Sequence, residues 1–235
     1  MIILAGGRGT RLAEETTITP KPMVTIGGKP MLWHIMNSYA IQGYLDFIIA
    51  TGYKAEVIEK WAKSLREKWN VTTQFTGLET QTGGRIRQCV LANSSDKFFA
   101  TYGDGLANVN LSSLLAFHEK GNFIATLTAV RPPARFGVVE IANGRVAHFG
   151  EKSQADSGWI NGGFFVLDKR IIDYVHSDDE PFESGALPRL ADKGGLGAYE
   201  HFGFWKPMDT LREKLEFQEL ALQEAWPWLI SKNTR

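Results

Sequence analysis

A short apolar run that leads directly into a cluster of glycines is the feature that most constrains the fold of this chain. Residues 1–5 read Met-Ile-Ile-Leu-Ala, which is typical of a buried strand, and three glycines follow within the next four positions. Glycine has no Cβ, so such a loop can turn its amides towards one point and let a phosphate group approach closely. Arg8, Arg11 and Lys21 add positive charges nearby. The segment therefore predicts a strand followed by a cradle for a polyphosphate.

Two known glycine fingerprints are excluded by the residues around this loop. The phosphate loop of mononucleotide-hydrolysing enzymes requires a Gly-Lys-Ser/Thr ending, which is absent here. The dinucleotide fingerprint requires a third glycine where Leu12 stands, and an acidic residue on the next strand, where residues 47–51 read Phe-Ile-Ile-Ala-Thr. The loop is therefore either a polyphosphate cradle of another kind or a plain turn after a strand.

Length and composition are those of an ordinary globular protein. At 235 residues, with 43% hydrophobic and 22% charged residues, the chain suits one large α/β domain and is short for two. The formal net charge is zero, so we expect no nucleic-acid partner. The single cysteine, Cys89, excludes an internal disulfide and fits a reducing compartment, and we expect it to be a small buried residue. No apolar run approaches the roughly 18 residues of a membrane span, so we expect no membrane partner and a cytoplasmic location.

Strand and helix patterns alternate through the first half of the chain. From the spacing of apolar residues, helices are predicted over residues 31–39, 54–69, 85–92 and 111–120, and strands over residues 44–51, 71–75 and 96–101. Alternating strands and helices imply parallel crossovers. This half therefore predicts a doubly wound α/β fold with a mostly parallel, Rossmann-like sheet.

The second half is richer in strand patterns. Strands are predicted over residues 124–130, 138–141, 145–149, 159–167 and 196–200, with short helices over 169–175 and 183–192. Asn143-Gly144 between two of these runs indicates a hairpin. Thr210 can cap a last helix that runs to about residue 225. We therefore expect one domain over residues 1–235 with a mixed β second half.

Two aspartates stand at positions that suit a metal ion. Asp104 lies between two glycines at the carboxyl end of a predicted strand, where ligands bind in open α/β sheets, and Asp209 precedes the last helix. Mg²⁺ prefers oxygen ligands and often takes only one or two carboxylates together with phosphate oxygens and water. Taken alone, Asp104 is more typical of a turn and Asp209 of a helix N-terminus than of a metal site.

The glycine string and several others resemble one enzyme family. Leu-Ala-Gly-Gly-x-Gly-Thr-Arg-Leu with Lys-Pro-Met soon after resembles the nucleotide-binding signature of the sugar-nucleotide pyrophosphorylases, which are nucleotidyltransferases. Within that family, further strings are most similar to the glucose-1-phosphate cytidylyltransferases. These strings are Thr-Gly-Gly-Arg at 82–85, Tyr-Gly-Asp-Gly at 102–105, Asn-Gly-Gly-Phe-Phe-Val at 161–166 and Trp-Lys-Pro-Met-Asp-Thr at 205–210. The resemblance runs from end to end of the chain and implies a GT-A-like nucleotidyltransferase fold.

The resemblance also implies roles for individual residues. Arg11 and Lys21 are the implied catalytic cations, and Asp104 and Asp209 the implied ligands of Mg²⁺. The nucleotide is expected against Leu4, Ala5, Gly6, Gly7, Arg8, Gly9, Thr10, Arg11, Lys21, Thr80, Arg85 and Gly103. The sugar phosphate is expected against Glu151, Lys152, Asn161 and Gly162. Residues 1–120 would then be a nucleotide-binding half and residues 121–235 a sugar-phosphate half.

The implied reaction joins α-D-glucose 1-phosphate to CTP, giving CDP-glucose and pyrophosphate, and the product would supply deoxysugars of a surface polysaccharide such as the lipopolysaccharide O-antigen. Two unit charges roughly 4 Å apart repel by about 4 kcal/mol at an effective dielectric constant near 20, so these anionic substrates need counter-cations to meet. We therefore expect positioning and charge neutralisation to carry the catalysis. Another acceptor sugar phosphate, uridylyl or guanylyl transfer, and a nucleotide-sugar-binding protein without activity stay open as alternatives.

The tail Trp226-Pro227-Trp228 has two readings. Its large aromatic side chains predict either a subunit contact in a homo-oligomer or a cap over the core of the same chain.

Overall fold

The computed structural model describes residues 1–9, 19–132, 137–142, 144–151, 158–223 and 226–230. The strands are β1 (Ile2–Leu4), β2 (Thr25–Ile26), β3 (Lys29–Pro30), β4 (Asp46–Thr51), β5 (Asn70–Phe75), β6 (Lys97–Tyr102), β7 (Gly105–Ala107), β8 (Ala125–Val130), β9 (Gly137–Ala142), β10 (Arg145–Glu151), β11 (Ile160–Asp168), β12 (Leu196–His201) and β13 (Trp205–Pro207). The α-helices are α1 (Met31–Ala40), α2 (Ala55–Lys63), α3 (Thr82–Leu91), α4 (Leu111–Gly121), α5 (Ala186–Asp192) and α6 (Leu211–Ala221), and 3₁₀ turns cover Lys21–Met23 and Lys169–Tyr174. Across these ranges, no helix has the length and apolar character needed to cross a membrane.

A seven-stranded sheet in the order β12-β8-β11-β6-β1-β4-β5 forms the centre of the fold. β1 pairs in parallel with β4 on one side and with β6 on the other, so that Ile2 lies between Ile48 and Ala100. Of the seven strands in this sheet, β11 alone runs antiparallel to its neighbours, β6 and β8. The predicted doubly wound and mostly parallel sheet is confirmed, and its antiparallel strand lies in the half predicted to be mixed.

The first strand is buried on both faces. Ile2 and Leu4 pack into one apolar cluster, and Ile3 and Ala5 into another. Successive side chains of a strand point to opposite faces, so the two clusters lie on opposite sides of the sheet, as is typical of a parallel sheet covered by helices. Cys89 lies in the first cluster, where burial raises the pKa of its thiol to about 12. It is buried as expected.

Two helix boundaries in the first half of the chain differ by several residues from the prediction. The helix expected over residues 54–69 ends at Lys63, and Trp69 reaches the core from non-helical backbone, where its ring lies 6.0 Å from that of Trp33. Its helical spacing was therefore coincidental. The helix expected from residue 85 begins at Thr82, and its first turn contains Gly83 and Gly84, which let other backbone pack closely against it. A Cβ at Gly84 would lie 2.5 Å from Asp178.

The C-terminal part of the chain closes one face of the core. Trp228 is fully buried, and its ring stacks on Trp226 at 5.6 Å and lies against Phe217 at 5.8 Å. The tail therefore caps the core of its own chain. The last helix, α6, ends at Ala221, earlier than the predicted residue 225. The cap predicted at Thr210 is present, and Glu213 completes it as a capping box. The predicted hairpin is also present, since β9 and β10 pair antiparallel.

Candidate active site

A cavity of about 830 Å³ opens at the carboxyl ends of β1 and β6. From β1 the chain crosses to β4 on one side, whereas β6 lies on the other side, so this edge is a point where the strand order reverses. Ligands of open α/β sheets bind at such switch points because the connecting loops part there. The cavity is therefore the candidate active site.

The glycine loop of residues 6–9 forms one wall of the cavity. The carbonyl of Gly6 accepts hydrogen bonds from the amide of Tyr53 at 3.0 Å and from Arg85 Nη2 at 3.2 Å. In a trans peptide the C=O and N–H groups point in opposite directions, so the amide of Gly7 faces away from Tyr53 and Arg85. Gly9 has a φ of 63°, a backbone conformation that favours glycine.

Lys21 lies at the floor of the cavity between two carboxylates. Its ammonium nitrogen Nζ lies 2.6 Å from Oδ2 of Asp104 and 2.6 Å from Oδ1 of Asp209. The side chain of Lys21 is only 8% exposed. Charge-assisted hydrogen bonds of this length in a partly desolvated site are stronger than neutral ones. The three side chains therefore form a rigid group of alternating charge.

A small antiparallel pair of strands explains how the two aspartates meet. β7 follows the turn that contains Asp104, and β13 precedes Asp209. These strands pair with Pro207 opposite Gly105, and the amide of Met208 donates to the carbonyl of Asp104 at 2.7 Å. The pairing brings a residue before α6 to the carboxyl end of β6.

The two carboxylates also suit a divalent metal ion. Because both contact the same nitrogen atom of Lys21, their oxygens converge on one position. A divalent ion such as Mg²⁺ needs hard oxygen ligands and commonly takes one or two carboxylates, with phosphate oxygens and water completing the shell. Within the described ranges there is no group of three or more His, Cys, Asp or Glu side chains that could hold a metal by itself. The site therefore fits a metal ion that is coordinated partly by these two carboxylates and partly by a bound substrate.

Arg85 joins the glycine loop to two neighbouring strand ends. Its residue is 4% exposed, and its Nη1 donates to the carbonyl of Thr51 at 3.0 Å, to Oγ1 of Thr76 at 2.6 Å and to the carbonyl of Gly77 at 2.9 Å. Together with the bond to Gly6, these contacts link the ends of β1, β4 and β5. Burial lowers the pKa of the guanidinium from its ordinary value, and an arginine stays charged in spite of such a shift.

A polar network lines the opposite wall. The hydroxyl of Tyr102 donates to Glu183, whose other oxygen accepts from the hydroxyl of Thr82 at 2.7 Å. The side-chain amide of Asn161 donates to the Tyr102 oxygen at 3.3 Å, and its Oδ1 accepts from the amide of Gly163. Burial, followed by the negative charge of Glu183, raises the pKa of Tyr102 above its ordinary value. This wall therefore offers a carboxylate and a neutral hydroxyl.

An exposed ion pair lies among the residues that line the cavity. Arg8 Nη2 lies 2.5 Å from Oε1 of Glu79, and both side chains are largely exposed. Exposed pairs of this kind contribute at most about 1 kcal/mol, so the contact can open readily.

The family follows from comparison of the sequence with protein-family models. Residues 1–206 match the nucleotidyl transferase family. The chain belongs to the nucleotidyl transferase family. The expected resemblance is therefore confirmed, and the protein is an enzyme.

Individual relatives agree with the family. The glucose-1-phosphate cytidylyltransferase of Salmonella typhimurium is 43% identical to this nucleotidyltransferase over 97% of both chains. The probable glucose-1-phosphate cytidylyltransferase of Bacillus subtilis is 38% identical over 97% of this chain and 98% of that protein. Among solved structures, HddC from Yersinia pseudotuberculosis superposes with a TM-score of 0.74 and 28% identity, covering 93% of this chain and 97% of that chain. Members of this family generally use a divalent metal ion.

Most of the expected site residues of this nucleotidyltransferase line this cavity. Those that line it are Leu4, Ala5, Gly6, Gly7, Arg8, Gly9, Lys21, Thr80, Arg85, Gly103, Asp104, Asn161, Gly162 and Asp209. The expected residues Thr10, Arg11 and Lys152 lie outside the described residues. Glu151 is the last residue of β10, and its side chain is not described.

The sequence prediction did not assign several residues that line the cavity. Tyr102 directly precedes Gly103, which was an expected site residue. The alternation of side chains along β6 could have indicated that Tyr102 flanks the site. Glu183 and Glu79 come from loops with no sequence signal, because only the tertiary fold brings them to the cavity. Trp205 lines the same wall, where its Nε1 donates to the carbonyl of Gly162 at 2.7 Å.

Proposed function

We propose that this nucleotidyltransferase transfers the cytidylyl group of CTP to α-D-glucose 1-phosphate, giving CDP-glucose and pyrophosphate. The observation that carries the proposal is the cavity in which the glycine loop meets Lys21, Asp104 and Asp209. It occurs in a chain 43% identical to a Salmonella enzyme named for this reaction.

The reaction needs no covalent enzyme intermediate. An oxygen of the sugar phosphate attacks the α-phosphorus of CTP, and the bond from that phosphorus to the oxygen bridging to the β-phosphorus breaks, so that pyrophosphate leaves. The protein must hold two anionic groups in line and neutralise their charge. The glycine loop supports the polyphosphate, because its amides can face the cavity and no Cβ blocks the approach.

Lys21 is the proposed catalytic cation. Its ammonium group is held at the floor of the cavity by two carboxylates, within reach of any group bound there. A divalent ion, for which we propose Mg²⁺, would replace the ammonium group on Asp104 and Asp209 and supply Lewis-acid polarisation of the phosphate oxygens, which would leave Lys21 to pair with the phosphates. The expected Arg11 would add a second positive charge beside the same phosphates.

The sugar phosphate is proposed to lie against the wall formed by Asn161 and Gly162, with Glu151 and Lys152 as further contacts. Amide and carboxylate groups of Asn161 and Glu183 are suited to sugar hydroxyls. Thr80 and Gly103 would flank the nucleotide on the other side. We therefore propose that residues 1–120 form the nucleotide-binding half and residues 121–235 the sugar-phosphate half of one domain. We further propose a cytoplasmic enzyme, acting alone or as a homo-oligomer, whose product serves a surface polysaccharide such as the lipopolysaccharide O-antigen.

The proposal is tested by measuring pyrophosphate release with Mg²⁺ over a grid of four ribonucleoside triphosphates and several sugar 1-phosphates. Release that is fastest with CTP and glucose 1-phosphate is expected. A faster reaction with GTP and mannose 1-phosphate would replace the substrates and keep the mechanism. If the protein binds CTP but releases no pyrophosphate with any pair of substrates, the result would favour a nucleotide-sugar-binding protein without activity.

A further inference from the structure

The guanidinium of Arg85 lies where three segments of the cavity wall converge. A Cβ added at Gly52 would be 2.7 Å from Arg85 Nη1, 2.7 Å from the Gly6 carbonyl oxygen and 2.7 Å from the Gly77 carbonyl oxygen. A Cβ at Gly6 would overlap the guanidinium itself. Glycine is therefore required at both positions, because any Cβ there would clash with the guanidinium group of Arg85.

Every acceptor of Arg85 in the described part of the chain is an uncharged oxygen of the wall. Three are backbone carbonyls, of Gly6, Thr51 and Gly77, and the fourth is the hydroxyl of Thr76. The Thr76 hydroxyl in turn donates to the Thr51 carbonyl at 2.8 Å, which fixes the direction in which it accepts. A planar guanidinium with this many directed bonds holds its partners in one geometry more firmly than a point charge does.

This geometry bears directly on the glycine loop. With the Gly6 carbonyl bound by Arg85 and Tyr53, rotation of the peptide between Gly6 and Gly7 would break both hydrogen bonds, which restrains the direction of the Gly7 amide. If Arg85 were absent, the carbonyl would lose one of its two donors, and a glycine-rich loop has many other conformations open to it. Ordering such a loop on binding would weaken affinity.

We propose that Arg85 is a positioning residue for nucleotide binding, which fixes the phosphate-binding glycine loop through the Gly6 carbonyl and does not read the base. The inference rests on the proposed function in one respect, namely that residues 6–9 bind the polyphosphate. It assigns to Arg85 an indirect role, whereas the resemblance implied a direct contact with the nucleotide.

The test compares two ligands that share a polyphosphate and differ in the base. Binding of CTP and of inorganic tripolyphosphate is measured by calorimetry at a fixed free Mg²⁺ concentration, without sugar phosphate. The variants are Arg85→Lys, which keeps the charge and loses the fork of donors, and Thr76→Val, which keeps Arg85 and removes one of its acceptors. Arg87→Lys is the matched control, because Arg87 lies on the same helix α3 and is not among the described residues that line the cavity.

Arg85→Lys is expected to weaken both ligands by the same factor, about 10- to 100-fold. Thr76→Val should weaken both by a smaller common factor, and Arg87→Lys should leave both unchanged. In turnover, KM for CTP should rise in both test variants while KM for the sugar phosphate stays constant, which a general loss of stability would not produce. Circular dichroism on each variant shows whether the protein measured is folded. If Arg85→Lys does not fold, the binding data for Thr76→Val test the proposal instead.

Three results would overturn the proposal. Loss of CTP affinity with tripolyphosphate affinity retained would mean that Arg85 reads the base or ribose. A large loss in Arg85→Lys with none in Thr76→Val would make Arg85 a direct phosphate ligand. Failure of the wild type to bind tripolyphosphate would contradict the assignment of residues 6–9 as the phosphate-binding loop. The proposed cytidylyl transfer would still be tested separately by the grid of substrates.

Discussion

The ammonium nitrogen of Lys21 lies 2.6 Å from a carboxylate oxygen of Asp209, although 188 positions separate the two residues in the sequence. The same nitrogen lies 2.6 Å from Asp104. One positive charge therefore stands between two negative ones, at the position where a divalent ion would share the same oxygens. Lysine and metal are thus alternative counter-ions for one pair of carboxylates.

Replacing Lys21 by methionine should affect metal binding and turnover in opposite directions. Without the ammonium group the two carboxylates lose their counter-ion, so Lys21→Met should bind Mn²⁺ more tightly in the absence of nucleotide. Pyrophosphate release should fall by about 10²- to 10³-fold, because a preorganised charge at the phosphates is lost. Titration with Mn²⁺ followed by electron paramagnetic resonance measures the affinity.

The control for this prediction is Lys60→Met, since Lys60 is exposed on α2 and is not among the described residues that line the cavity. Its Mn²⁺ affinity and turnover should equal those of the wild type. Unchanged or weaker Mn²⁺ binding in Lys21→Met would mean that Asp104 and Asp209 do not form a shared cation site.

Two adjacent glycines of the loop should respond differently to a methyl group. A Cβ at Gly6 would overlap the guanidinium of Arg85, whereas a Cβ at Gly7 would meet no other atom within 4 Å. Overpacking of a buried site costs about 1–3 kcal/mol, so Gly6→Ala should lower the free energy of unfolding by that amount. Gly7→Ala should leave it nearly unchanged, and urea unfolding of both variants compares them. Equal losses would refute the close packing of Gly6 on Arg85.

The glycine loop and its strand could be predicted because their signals are local. Residues 2–4 form a strand that is buried on both faces, and such a strand reads as a continuous apolar run. The carboxyl end of β6, with Asp104, could likewise be predicted from the alternation of strands and helices. These features depend on the period of the apolar residues and on the special conformations of glycine.

The contacts that complete the site could not be predicted in the same way. The meeting of Asp209 with Lys21 depends on the pairing of β13 with β7, and both strands have only three residues. Strands of that length carry no clear alternation. Glu183 reaches Tyr102 from a loop. The resemblance implied a role for Arg85, but nothing in the sequence indicated that neutral oxygens would surround its guanidinium group. Tertiary packing decides these contacts.

The capping box at the start of α6 should stabilise both the helix and the position of Asp209. Glu213 accepts hydrogen bonds from the amides of Asp209 at 2.7 Å and Thr210 at 2.9 Å, and the Thr210 hydroxyl accepts from the Glu213 amide. Loss of such a cap typically costs about 1 kcal/mol. Thr210→Ala should therefore lower the free energy of unfolding by that amount, whereas Thr210→Ser, which keeps the hydroxyl, should not. An unchanged stability in Thr210→Ala would mean that the box adds nothing to α6.

A buried histidine should make the stability of this protein fall at mildly acidic pH. His34 is fully buried, and its Nε2 lies 2.8 Å from the carbonyl oxygen of Ile26, so Nε2 carries the proton of the neutral ring. Its Nδ1 is buried without a hydrogen-bond partner among the described residues, within a cluster that includes Trp226 and Trp228. Burial, with a smaller contribution from the charge of Lys29, lowers the pKa of His34 below its ordinary value of 6.5.

The direction of the pH dependence follows from the lowered pKa. Between the folded pKa and about 6.5 the unfolded chain binds a proton that the folded chain does not, so the free energy of unfolding falls as the pH decreases through this window. One histidine contributes a slope of at most about 1.4 kcal/mol per pH unit. His34→Gln retains a donor for the Ile26 carbonyl and does not titrate, so its urea-unfolding free energy should decline less steeply between neutral and mildly acidic pH than that of the wild type. Parallel pH profiles for the two proteins would show that His34 takes up its proton equally in both states.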